Sequence, residues 1–159
     1  MTKRSIRYWL LKSEPDEFGI DHLEAAANQT TSWSGVRNYQ VRNLMRDVMR
    51  TGDQGFFYHS SCPEPGISGI VEVISDAYPD PTQFDRKSDY FDAKSASDTP
   101  RWLAMDVKLV CRLGRYVSLD ELKANPGLEG LRALARGNRL SITEVSKPHW
   151  DLISGLGRI

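Results

Sequence analysis

The chain has 159 residues, 40% hydrophobic and 26% charged, the values of a globular domain with room for a core; a disordered or membrane-embedded chain is excluded. Its 21 basic and 21 acidic residues cancel, so any attraction to a polyanion must be local. Two cysteines, Cys62 and Cys111, make no disulfide framework. Residues 1–15 hold too short an apolar run for a signal peptide, so we expect an intracellular protein with free thiols, built as one domain over 1–159.

In chain order, Ile6 to Leu11 reads as a buried strand stopped at Lys12-Ser13-Glu14-Pro15. Asp21 and Glu24 form a capping box for a short helix, His22 to Asn28, and Gln29 to Ser32 is a loop. Val41, Leu44, Met45, Val48 and Met49 recur at helical spacing from Tyr39 to Arg50, with Asn38 as N-cap and Gly52 as the stop. Gly55 to Ser60 is a short aromatic strand, Cys62 to Gly66 a turn, and Gly69 to Ser75 a second strand. The stretch Asp76 to Pro100 is a loop of a length that is usually functional or mobile. Leu103, Met105, Val107, Leu109, Cys111 and Leu113 alternate with the residues between them, as along a half-buried strand. Ser118 and Glu121 cap a helix ending near Asn125-Pro126, and Leu128 to Arg136 is a further short helix stopped by Gly137. Arg139 to Val145 is a strand, and Pro148 starts a last helix through Ile153.

The stretch Trp33 to Asn43, WSGVRNYQVRN, is the part that core packing explains least. Trp33 and Tyr39 offer flat faces, Asn38, Gln40 and Asn43 paired donors and acceptors, Arg37 and Arg42 planar cations, and Gly35 room for close approach. Equally, Trp33 could anchor the core and Asn38 merely cap the helix. Arg42, Arg46 and Arg50 fall in a row on that helix, either a solvated face or a set of phosphate contacts. Trp102 is out of phase with the strand it opens, so it faces a pocket or covers a sheet edge.

A metal site is not expected, because only His59 and Cys62 lie close in sequence, and neither a nucleotide fingerprint nor a P-loop occurs, so no cofactor is expected either. Ser60 or Cys62 beside His59 makes a poor nucleophile pair, since sequence neighbours rarely form a triad. What is left is a set of polar groups at strand ends with aromatic rings, which suits a flat polar heterocycle such as a nucleobase. An enzyme acting on a modified base with Glu14 or His59 as acid or base, and a small-molecule or protein-binding module, stay open as alternatives.

The segments YWLLKSEP, WSGVRNYQVRN, FFYHS, the Trp102 strand and NRLSIT, in that order over nearly the whole chain, resemble the EVE domain family. That resemblance implies an α+β, PUA-like fold: a mixed sheet closed into a pseudo-barrel with flanking short helices, related to YTH domains that read methylated adenine in RNA. It also implies non-enzymatic recognition of a modified base in nucleic acid, DNA or RNA, modified cytosines in DNA being the foremost ligands. By position, Lys12, Ser13 and Glu14 would line one wall, and Trp33 with Trp102 would supply aromatic walls. Gly35, Val36, Arg37, Asn38 and Tyr39 would contact the base or its sugar-phosphate, and Tyr58, His59, Ser60, Arg139, Leu140 and Ser141 would close the pocket.

Overall fold

A computed structural model describes residues 5–159; residues 1–4, part of the stretch read above for a signal peptide, lie outside the described residues. Its strands are β1 (Tyr8–Ser13), β2 (Thr30–Trp33), β3 (Gln54–His59), β4 (Gly66–Val73), β5 (Tyr78–Pro79), β6 (Leu103–Ser118) and β7 (Ile142–Val145). They form one mixed sheet in the order β2-β6-β4-β3-β1-β7, with β5 beside β6. Short helices flank it: α1 (Pro15–Phe18), α2 (Ile20–Ala25), α3 (Tyr39–Asp47), α4 (Leu119–Ala124) and α5 (Lys147–Leu156). Among the described residues no helix is long and apolar enough to cross a membrane.

Pairing gathers the polar strand ends. Because β1 and β3 run parallel, their C-terminal ends lie side by side, with Ser13 opposite His59 and the Ser60 amide donating to the Ser13 carbonyl at 2.9 Å. β7 runs antiparallel to β1, which brings Ser141 alongside, and its carbonyl accepts from the Lys12 amide at 2.8 Å.

Alternation along the strands divides the apolar side chains between two faces. Trp9, Leu11, Phe57, Val71, Met105 and Val107 pack with α2 and α3 residues such as Leu23, Val41 and Met45. Leu10, Phe56, Ile67, Val117 and Val145 pack on the other face with Leu122, Trp150 and Ile153. The first cluster also holds Trp33 from β2 and Ile142 from β7, so opposite margins of the sheet share one interior. That is the pseudo-barrel expected from the resemblance. No ladder among the described residues joins β2 to β7, so it stays open along that seam.

Several element readings are corrected. The strict alternation from Leu103 to Leu113 breaks at a bulge: Val71 pairs with Leu109 but Ile70 with Cys111, leaving Val110 extra and half exposed. One extra residue turns everything after it to the opposite face, so Leu109 joins the first cluster while Cys111 and Leu113 join the second. Thr30–Trp33 is a strand, although Gln29 to Ser32 reads as a loop, because a short polar edge strand lacks the apolar pattern of a central one. Leu128 to Arg136 is not one helix: a 3-10 turn, Pro126–Leu128, ends where it should begin, a second covers only Arg132–Leu134, and Gly130, at φ 87°, separates the two. α2 starts before its expected cap, and Asp21 pairs instead with Arg112 at 2.6 Å. α3 ends at Asp47 rather than Arg50, where the buried Asp53 carboxylate takes the Arg50 amide at 3.1 Å.

Candidate functional site

At the seam a cleft of about 420 Å3 opens. Lys12, Ser13 and Glu14 line it from the end of β1, Glu17 and Phe18 from α1, Thr31, Ser32 and Trp33 from β2, and Ser141 from the approach to β7. Ser34, Gly35 and Val36 form its floor side, and Tyr90 reaches in from the long loop. Of the residues expected from the sequence, Lys12, Ser13, Glu14, Trp33, Gly35, Val36 and Ser141 lie at the cleft, where Glu17, Phe18, Thr31, Ser32, Ser34 and Tyr90, none of them expected, join them.

The long loop is pinned by two buried polar side chains. Asp80, fully buried, accepts from the Gly35 amide at 2.7 Å, Arg37 Nη1 at 3.1 Å, and the Thr82 amide and hydroxyl at 2.8 and 2.6 Å. Burial alone would push its carboxyl up, but these hydrogen bonds outweigh burial and hold it below the ordinary value. Gln83, also fully buried, donates to the Asp80 and Trp102 carbonyls at 2.7 and 2.8 Å and accepts from the Trp102 amide at 3.0 Å. The sequence signal was Asp80-Pro81-x-x, an N-cap with proline at the first position of a turn.

Asp80 and Arg37 together place Tyr90. The Arg37 guanidinium donates to the Tyr90 carbonyl at 2.6 and 3.1 Å, and the ring lies over Gly35 so closely that a Cβ there would sit 2.9 Å from it. Gly35 also has φ +80°, so this is a position that glycine alone fills without strain.

Trp102 stands elsewhere, which corrects the expected sandwich of two indoles. One face stacks on Tyr39 at 4.7 Å, the Arg37 guanidinium lies 5.4 Å from its ring centre, and Nε1 donates to Asp92 at 2.7 Å. It is not among the residues lining the cleft, whose aromatic lining is Phe18, Trp33 and Tyr90. Trp33 lines the cleft and also belongs to the first core cluster: it meets Phe57 edge-on at 5.9 Å and is 8% exposed. Asn38 caps α3, its Oδ1 accepting from the Val41 amide at 3.0 Å. Asn43 Oδ1 accepts from Arg42, whose Nη1 donates to the Arg101 carbonyl at 2.9 Å. Arg46 pairs with Asp47 at 2.8 Å, and Arg50 donates to the carbonyls of Arg46, Asp47 and Met49. Tyr58 faces the second cluster, where burial pushes its phenol up to about 12. Leu140 packs on the first cluster, and Arg139 is exposed.

Glu14 and His59, the two alternatives for a general acid or base, stand in different surroundings. Glu14 lines the cleft; His59 does not, and its Nε2 accepts the Ile20 amide at 3.1 Å at the start of α2. Burial lowers the His59 pKa from 6.5, Arg112 adding to the shift and Asp21 opposing it. A histidine depressed in the fold binds fewer protons there than when unfolded, so its contribution is complete above the unfolded value near 6.5 and is lost as pH falls through the folded value. The melting temperature should therefore drop on acidification below about pH 6.5, and His59→Gln, which keeps an acceptor but cannot titrate, should flatten that drop. An equally steep acid limb in the variant would remove His59 as its source. Among the described residues no group of three or more His, Cys, Asp or Glu side chains is placed to hold a metal ion.

The chain belongs to the EVE domain family, whose model matches residues 7–156. It is similar to thymocyte nuclear protein 1 of Gallus gallus, 43% identical over 94% of this chain and 68% of the relative. A crystal structure of a protein from Pseudomonas putida is 47% identical with a TM-score of 0.89, over 94% of this chain and 99% of that one. Human THYN1 protein, solved in complex with 5-methylcytosine-containing DNA, is 38% identical with a TM-score of 0.90, over 96% of this chain and 98% of that one.

Proposed function

We infer that this domain is a non-enzymatic reader that takes one modified base of DNA, of the 5-methylcytosine kind, into the cleft between β2 and the β1–β7 margin. The observation that carries the reading is the cleft's composition: Phe18, Trp33 and Tyr90 rings beside the Lys12, Glu14, Ser32, Ser34 and Ser141 polar groups, in a volume of about 420 Å3. A slot of about 300–1,000 Å3 is the size that takes one small ligand. The likeness to human THYN1 protein bound to 5-methylcytosine-containing DNA supports the same ligand class.

In this reading Tyr90 and Trp33 cover the base, and the Glu14 carboxylate accepts from an exocyclic amine of the cytosine kind. Extruding a base from a duplex costs a few kcal/mol, and stacking on an aromatic returns about 1–3 kcal/mol. Arg37, Asn38, Tyr39, Asn43 and Trp102 act through the walls: Arg37 holds Tyr90 over Gly35, while Trp102 and Tyr39 back Arg37 from behind. Tyr58, His59 and Ser60 brace the strand end that carries Ser13.

Tyr90 is the wall to remove, because it is 41% exposed and its loss should leave the fold intact. Tyr90→Ala should reduce the preference for a duplex carrying one 5-methylcytosine over the unmodified duplex by roughly 5- to 100-fold, read by fluorescence anisotropy, as expected from the loss of one stacking contact. A wild-type domain without any such preference, or a variant that keeps it in full, overturns the reading.

A further inference from the structure

We propose that the loop 132–139 carries the contacts to the sugar-phosphate backbone, through Arg132, Arg136 and Arg139, beside the cleft where the base is read. This rests on the reader function above and adds where the rest of the nucleic acid lies.

The chain is neutral overall, yet its charge is unevenly placed. From Gly130 to Thr143 it has three arginines and no acidic residue. All three arginines are exposed, and none forms an ion pair among the described residues. The arginines of α3 and its exit are different: Arg46 is held by Asp47, and Arg42 and Arg50 spend their donors on Asn43 and on backbone carbonyls. An arginine already satisfied by its own protein gains less from a phosphate than one that meets only water, because only the second has donors to give without breaking other bonds.

Asn138 folds the loop into one patch. Its Nδ2 donates to the Arg132 carbonyl at 2.6 Å and its Oδ1 accepts from the Leu140 amide at 2.9 Å, so the chain around Arg132 is tied to the chain around Arg139. Gly137, at φ 78°, makes the turn between them. The patch adjoins the cleft: Ser141, which lines it, follows Arg139 by two residues, roughly 7 Å of chain at most. Lys12, of the same sign, lines the cleft from the neighbouring strand. In this proposal a nucleotide whose base enters at the seam sends its phosphates first past Arg139 and then along the turn tied by Asn138 to Arg136 and Arg132, the last of which borders a neighbouring groove with Glu144 and His149.

Contacts of this kind act on every sequence alike and release counterions, contributing about 0.9 to the slope of log affinity against log salt for each phosphate neutralised. The test measures that slope by anisotropy, with a DNA duplex carrying one 5-methylcytosine and with its unmodified counterpart. Substituting Arg132→Gln, Arg136→Gln and Arg139→Gln together should lower the slope by roughly 2–3 and weaken both duplexes by the same factor, leaving their ratio within about twofold. The three Arg→Lys substitutions should restore most of the slope, and melting curves of both variants should match the parent, since these side chains form no ion pair among the described residues. An unchanged slope in the Gln variant, or a slope lost only when Arg42, Arg46 and Arg50 are replaced, overturns the proposal. So does a changed ratio between the duplexes, which would make these arginines readers of the base. A parent domain that binds both duplexes equally but with the arginine-dependent slope would instead sink the base-reading cleft and leave this patch standing; one that binds neither ends both.

Discussion

Asp80→Ala is expected to lower the stability of the domain by about 3–5 kcal/mol, the cost of breaking a buried ion pair from one side, and to abolish binding with it. The carboxylate is fully buried and serves the Gly35 amide, the Arg37 guanidinium and both donors of Thr82. Without it the Arg37 charge, whose side chain is 22% exposed, loses its counter-charge, and the Gly35 amide and both Thr82 donors lose their acceptor, which loosens the seat of the guanidinium that holds Tyr90 over Gly35. Denaturant midpoints would show the loss. Since a native domain has only about 5–15 kcal/mol to lose, the variant should be near unfolding. Asp80→Asn keeps the shape and one acceptor, so it should lie between the two. Because the carboxyl is depressed in the fold, its contribution is complete above the ordinary carboxylate value of 3.8 and disappears as pH falls through its folded value. A midpoint in Asp80→Ala within 1 kcal/mol or so of the parent would mean the network does not hold the loop.

Trp33→Ala should cost about as much, 3–5 kcal/mol or so, for a different reason. The indole is 8% exposed, belongs to the first core cluster and meets Phe57 edge-on, so truncation leaves a cavity in the interior that both margins of the sheet share. Loss of binding in that variant would report a damaged fold as much as a missing wall. Trp33→Phe separates the two: it keeps most of the packing, so it should fold with a modest loss of stability while weakening the modified duplex. If Trp33→Ala melts at the parent's temperature, the residue is a wall alone and its place in the core carries no weight.

Much of this arrangement was legible in the chain. The polar strand ends Lys12-Ser13-Glu14 and Tyr58-His59-Ser60 stood out because each follows an apolar run, and β pairing brings them to one end of the sheet. Asn38 was readable as a cap, since the side chain of Asn before a helical stripe has a local use. Trp102 shows the limit. Being out of phase with its strand marks a residue as special, but its partners are Tyr39 of α3 on one face and Asp92 of the long loop at its N–H, and that loop is ordered by Asp80 and Gln83 through contacts distant in sequence. Phe18 and Tyr90 were invisible for the same reason: a ring in a polar stretch gives no periodic signal, and only the folded chain puts the two beside Trp33. The bulge at Val110 hid in an alternation that looked unbroken, because an inserted residue changes the pairing partner without changing the composition.

The seam between β2 and β7 has a consequence for how such a domain diversifies. Both margins are anchored on their other sides, β2 to β6 and β7 to β1, while no backbone bond spans the gap among the described residues. Apart from Trp33, which is also core, side chains there can be exchanged for larger or smaller ones without giving up any rung of the ladder, so in the proposed reading the choice of ligand is uncoupled from the backbone bonds of the sheet. One scaffold can in this way be refitted to heterocycles of different outline by changes confined to a handful of positions along a single crack.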